Sequence, residues 1–133
     1  MERFLGKYSA HLYALLRVVA GAMFAMHGSQ KLFGVPGNKP SVPIGSLLGV
    51  AGIVEFVAGV MIAIGLLASF AAFVACGEMA FAFFHAHFPQ GFLPIMNGGE
   101  LAVVYCFLFL YIASHGSGMC AVDSIFLRKK PAA

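Results

Sequence analysis

Four long apolar stretches dictate what this chain can fold into. They run from about Ala10 to Ser29, Leu47 to Leu67, Phe70 to Phe84 and Leu101 to Ala113. Crossing the hydrocarbon core of a bilayer takes about 20 mostly apolar residues at ~1.5 Å each. The first two stretches reach that length alone. The last two reach it by taking in flanking residues such as His85, Gly99 and Ser114. Backbone in lipid has no water to satisfy it, so each run is expected to be a helix. A transmembrane β-barrel needs alternating segments of about 10 residues, and these runs do not alternate. The expectation is an all-α integral membrane four-helix bundle, a single transmembrane domain over residues 1–133. Its spans fall at about 10–30, 46–67, 69–86 and 99–116.

Composition agrees. The hydrophobic fraction is 61% and only 10% of residues are charged, against roughly 45–50% apolar residues in soluble proteins. That leaves too few charges to coat a soluble globule. The formal charge of +3 is small and its basic residues cluster at the two ends, which fits membrane orientation and not a nucleic-acid surface. The first span is not read as a cleaved signal: Arg17 interrupts it, and it exceeds the ~7–15 residue apolar region of a signal peptide.

Lys and Arg in short flanks set orientation. With four spans both termini share a side, which carries Arg3, Lys7, Arg128, Lys129 and Lys130; the opposite loops carry Lys31 and Lys39. The expectation is a multi-pass protein of the cell (inner) membrane with both termini cytoplasmic. The two Gly- and Pro-rich loops, Gln30 to Ser46 and His85 to Gly98, then face outside.

Small residues mark helix contacts. Gly45, Gly49, Gly52 and Gly59 form a stripe on the second helix, and Arg17, Gly21 and Gly28 one on the first; small residues let backbones approach in lipid. Glu55 shares the stripe of Gly52 and Gly59 and so points into the bundle.

The ionisable residues inside the spans are the most informative. Arg17, Glu55 and Glu78 sit where a charge costs at least ~2.5–3.5 kcal/mol. Counted from the expected membrane edges, their depths agree within about one helical turn, so an Arg17–Glu55–Glu78 ion-pair triad is expected. One arginine cannot neutralise two carboxylates, which leaves one glutamate protonated or bound to something else. Toward the outer face lie His27, Gln30 and Lys31, then His85, His87, Asn97 and Glu100. Polar groups on several helices thus converge on one half of the bundle.

Each of these residues also has a plainer reading. Arg17, Glu55 and Glu78 can be a purely structural network. His85 and His87 can be interfacial side chains. Asn97-Gly98-Gly99 can be a turn before a helix that Glu100 starts. Tyr105 and Tyr111 read as packing or belt residues. Cys76, Cys106 and Cys120 form no C-x-x-C, so no dithiol motif is present. The spacing is neither H-E-x-x-H nor a paired Glu-x-x-His. His27, Glu78, His85 and Glu100 remain the weak candidates for a metal.

The run His27-Gly28-Ser29-Gln30-Lys31-Leu32-Phe33-Gly34 resembles the end of the first helix in DoxX-family membrane proteins. Gly52-Ile-Val-Glu-Phe-Val-Ala-Gly59 resembles that family's second helix. Gly77-Glu78-Met79-Ala80, His85-Ala86-His87-Phe88-Pro89, Asn97-Gly98-Gly99-Glu100 and Tyr105-Cys106-Phe107 resemble a subgroup of it. At Met119-Cys120-Ala121-Val122-Asp123 the chain departs from the Trp and Ser the family places before the Asp. The resemblance implies a membrane subunit of a quinone-linked redox system, an oxidoreductase component with no complete catalytic motif of its own. The ligand-binding positions it implies are His27, Gln30, Lys31, His85, Asn97 and Glu100, with Glu55 and Glu78 exchanging protons. Quinone is the implied cofactor. The implied partners are the bilayer and a redox protein or a second copy of the chain. A non-enzymatic accessory, assembly or small-solute or metal-handling protein is the alternative, and a small proton-coupled exporter a third.

Overall fold

The computed structural model describes residues 1–126, and every regular element among them is helical. Arg128, Lys129 and Lys130, on which the expected orientation leans, lie outside the described residues. Two short turns, Glu2–Leu5 and Gly6–Tyr8, lead into α1, Ser9–Phe33. Gly34 ends α1 with a φ of 72°, a left-handed conformation open to glycine, while its N–H still reaches the Gln30 carbonyl at 3.1 Å. Helix α2, Leu47–Ile64, starts at Ser46, whose Oγ accepts the Gly49 N–H at 3.1 Å.

Helix α3, Ala68–Ala82, runs on through a wide π turn, Phe83–His87, and a 3-10 turn, Phe88–Gln90. Helix α4 is Glu100–His115, preceded by the short helix Pro94–Asn97 and followed by another, Val122–Phe126. The stretches Glu2–Phe33, Leu47–Ile64 and Ala68–Gln90 are long and apolar enough to cross a membrane. Helix α4 is shorter at 16 residues, about 24 Å. Against the expected spans, the first helix runs on to Phe33 because Gly34 is its first stop. The third runs past 86 to Gln90 because wider and tighter turns prolong it.

The packing fits lipid. Phe73 and Phe107 are 65% and 67% exposed along the outside of the helices, while Arg17 is wholly buried. Water would drive the opposite arrangement; a bilayer does not. Helices α1 and α2 meet through glycine. A Cβ added to Gly21 would lie 2.7 Å from the Gly59 carbonyl oxygen, and one added to Gly59 the same distance from that of Gly21. A Cβ on Gly28 would lie 2.5 Å from the Gly52 carbonyl oxygen and strike the Phe56 backbone. Gly45 stands outside this contact, with open space around it. Helices α3 and α4 instead pack through Ala71, Ala72 and Ala75 against Phe109 and Ile112. Phe24 of α1 closes the centre, with ring centroids 4.7 Å from Phe109 and 5.5 Å from Tyr105.

The bundle has two ends. The loop end carries residues 34–46 and 88–99. The terminal end carries the α2–α3 turn and the segment after α4.

Candidate functional site

Arg17 does not join the glutamates, which corrects the expected triad. Its guanidinium donates from Nη1 to the carbonyls of Ile62 (2.6 Å) and Ala63 (2.8 Å), and from Nη2 to Cys120 (2.8 Å) and, more weakly, Met119 (3.4 Å). Two of these are carbonyls at the negative end of α2, where a cation is favoured. The physical reason lies in the glycine contacts. They pair Gly21 with Gly59 and Gly28 with Gly52, so in this antiparallel register Arg17 falls level with Ala63. Glu55 is eight residues further along α2, about 12 Å away along the axis. Depths counted from assumed membrane edges cannot resolve that offset.

The partner of Glu55 is Lys31. Its Nζ lies 2.7 Å from Glu55 Oε1, the single salt bridge among the described residues. The Glu55 side chain is 5% exposed and that of Lys31 30%, so the ammonium reaches inward from the end of α1 on an apolar stem. Around this pair lie buried oxygens with no hydrogen-bond partner: Glu55 Oε2, both carboxyl oxygens of Glu78, and the Tyr105 hydroxyl. Such atoms are uncommon in finished packing and each calls for an explanation.

Two clefts flank the pair. One, about 200 Å³, lies between α2 and α3 and is lined by Lys31, Glu55, Glu78 and His85 among apolar residues. The other, about 270 Å³, is lined by His27, Lys31, Glu55, His87 and Tyr105. Lys31, Glu55, Met79 and Ala82 border both. All four helices thus contribute a polar side chain: Lys31 and His27 from α1, Glu55 from α2, Glu78 from α3 and Tyr105 from α4. The π turn supplies His85, stacked on Phe81 at 5.1 Å between centroids, and His87.

The remaining expected ligands do other things. Asn97 ties the second loop: its amide donates to the Gly91 carbonyl (2.7 Å) and its Oδ1 accepts the Gly99 N–H (2.8 Å). Its backbone carbonyl lies 3.1 Å from His87 Nδ1. Gln30 braces the first loop, donating to the Pro36 carbonyl at 2.8 Å and accepting from Lys39 at 3.3 Å. Glu100 is exposed on the first turn of α4 and lines neither cleft. The four weak metal candidates are therefore divided: Glu78 and His85 on the first cleft, His27 on the second, Glu100 on neither. Among the described residues no three His, Cys, Asp or Glu side chains converge as a metal site needs.

Tyr105 is the site residue that sequence reasoning missed. A signal existed: Ala102, Tyr105, Phe109 and Ile112 form the buried stripe of α4, and a tyrosine on a buried stripe needs a partner for its hydroxyl.

Apolar helices exposed on the outside, with ionisable side chains gathered inside one end, define an all-α helical membrane protein with an intramembrane polar site. The DoxX family profile matches residues 12–88, covering α1 to α3. An uncharacterized protein of Haemophilus influenzae is 42% identical over 132 residues, covering 94% of this chain and 98% of its own length. The chain belongs to the DoxX family. No solved structure matches it.

Proposed function

We propose that this protein is a membrane subunit of a quinone-linked redox system, taking a quinone-like head group on the Lys31–Glu55–Glu78 cluster. The observation that carries the reading is the Glu78 carboxyl, whose two oxygens are buried and unpartnered on the wall of a cleft shared with Lys31, Glu55 and His85. Polar groups at membrane depth persist where they face protein, water or a ligand. The one ammonium here is taken by Glu55, so a proton or a ligand completes Glu78. A quinone offers two carbonyl oxygens on an otherwise apolar ring. Lys31 and a protonated Glu78 are donors for those oxygens, and Ala51, Val54, Phe81 and Ala82 form apolar walls for the ring.

Quinone reduction takes up two protons with two electrons. Glu78 and Glu55 are the carboxyl groups placed to hold and pass protons at that cleft. In this reading electrons arrive from a partner redox protein. The protein sits in the cell membrane with both termini cytoplasmic, an orientation supported by Arg3 and Lys7 on one side against Lys31 and Lys39 on the other.

The test is calorimetric titration of purified protein in detergent with a short-chain ubiquinone. Glu78→Gln preserves size and removes the acid; it is expected to stay folded and bind at least about tenfold more weakly, a change of about 1.4 kcal/mol. A wild-type protein that binds no quinone, or a variant that binds equally well, overturns the reading. A different lipid-soluble molecule carried through purification on the same residues would favour a non-enzymatic ligand-handling role.

A further inference from the structure

Cys76 and Cys106 are far apart in the chain and belong to no C-x-x-C motif, yet their sulfurs lie 3.6 Å apart between α3 and α4. Both are free thiols and partly buried. A covalent S–S bond is about 2.0 Å long, so the sulfurs need to close by about 1.6 Å. Side-chain rotation can supply much of that without separating the helices. Cysteine often serves only as a small apolar filler. Here two fillers from neighbouring helices meet sulfur to sulfur, and one of them is reachable from lipid. Cys106 borders an apolar groove of about 310 Å³ between α3 and α4, beside Phe84 and Phe107. Those two rings are 63% and 67% exposed, so the groove opens on the lipid-facing side.

We propose that Cys76 and Cys106 form a redox-active dithiol that closes to a disulfide within the membrane, with a lipid-soluble quinone as oxidant. Two S–H bonds break and one S–S bond forms. The two electrons and two protons released pass to the carbonyl oxygens of the quinone, which leaves as hydroquinone. Cys106, on the groove, is the thiol that meets the oxidant. Cys106 adds through its sulfur to the quinone ring. Cys76, behind it, then attacks the Cys106 sulfur, so that the S–S bond forms as the sulfur–ring bond breaks and the electron pair leaves with the ring as hydroquinone. The inference rests on the quinone-class reading for its oxidant alone, and not on the Lys31–Glu55–Glu78 cleft.

The experiment uses the full chain in lipid nanodiscs, with Cys120→Ser as background to remove the exposed third thiol. The reduced protein is treated with a short-chain ubiquinone, denatured, alkylated with a maleimide and weighed by mass spectrometry; hydroquinone is followed by absorbance. The expected result is loss of two alkylation sites per chain, with no dimer on a gel and one hydroquinone formed. Cys76→Ser and Cys106→Ser should each abolish both signals. Copper phenanthroline, a lipid-accessible thiol oxidant, is the parallel arm. If it too fails to close the pair, the dithiol is only packing and the proposal falls. If it closes the pair and the quinone does not, the electron transfer proposed here falls. In either case the cleft reading stands or falls separately, on the Glu78→Gln titration. Hydroquinone formation or loss of alkylation that persists in either single serine variant also overturns the assignment.

Discussion

The two ends of the bundle treat buried charge in opposite ways. At the terminal end Arg17 is wholly buried, and carbonyls of α2 and of the 119–120 segment receive its two terminal nitrogens; only its Nε lacks a partner. Beside it the Asp123 carboxylate accepts the Leu67 N–H at 2.9 Å and the Ser117 hydroxyl, while its own N–H donates to the Gly65 carbonyl at 3.0 Å. That cluster ties the end of α2, the start of α3 and the chain after α4 into one knot. At the loop end one ammonium pairs with Glu55 alone, Glu78 has no cation of its own, and four buried oxygens go without partners. Nearly complete satisfaction marks a structural device. Unsatisfied oxygens bordering clefts are the feature on which the proposed ligand site rests.

The comparison is broken most directly by Arg17→Leu. Hydrogen bonds to a charged group are worth about 1.5–3 kcal/mol each. With several lost, and leucine's own burial offsetting part, the variant is expected to lose about 3–5 kcal/mol of stability. Denaturant titration in detergent micelles measures it. Stability close to wild type would show that the knot is incidental, and the contrast between the two ends would fail.

Glu78→Leu sharpens the comparison by changing sign. Replacing a buried, unpartnered polar group with an apolar one of similar size is neutral or stabilising. The same titration is expected to show wild-type stability or a gain of up to about 2 kcal/mol, together with loss of quinone binding. A large destabilisation would place Glu78 with Arg17 among the structural residues, and the loop end would lose its claim to be a site.

How far the sequence could foresee this difference depends on what each residue needed. Helical spans follow from apolar run length, and the inward direction of Glu55 follows from the stripe it shares with Gly52 and Gly59. The gathering of His27, Lys31, Glu55, Glu78 and His85 toward one end follows from their positions along the helices. Partner identity does not follow, because it depends on helix register to within a turn. An offset of about 12 Å separates Arg17 from Glu55, and that offset is set by where Gly21 and Gly28 meet α2. The Cys76–Cys106 contact and the Tyr105 hydroxyl depend on the register of α3 against α4 in the same way. Gln30 and Asn97 show a different limit: in loops, an amide that bonds backbone looks in sequence like one that bonds a ligand.

The smallest expected effect belongs to Asp123, at the knot's edge outside the membrane-spanning segments. The hydrogen bond from Ser117 holds its carboxyl below the usual carboxylate range; the Leu67 and Ala68 N–H groups and the nearby Arg17 charge act in the same direction, against the opposing effect of burial. A carboxyl with a folded-state pKa lowered in this way binds protons more readily in the unfolded chain. Its contribution to stability is therefore complete well above the unfolded value of about 3.9 and is lost as pH falls through the folded value. Asp123→Asn keeps an oxygen for the Leu67 N–H and removes the titration. The expected outcome is a wild-type stability curve that falls more steeply than the variant's as pH drops below about 4, with the two differing by a constant amount from pH 6 to 8. Loss of this one carboxylate should not unfold the bundle, since the Arg17 bonds to Ile62 and Ala63 remain. Parallel curves down to pH 3 would mean that the Asp123 charge adds nothing to the knot, and that Arg17 alone distinguishes the terminal end from the loop end.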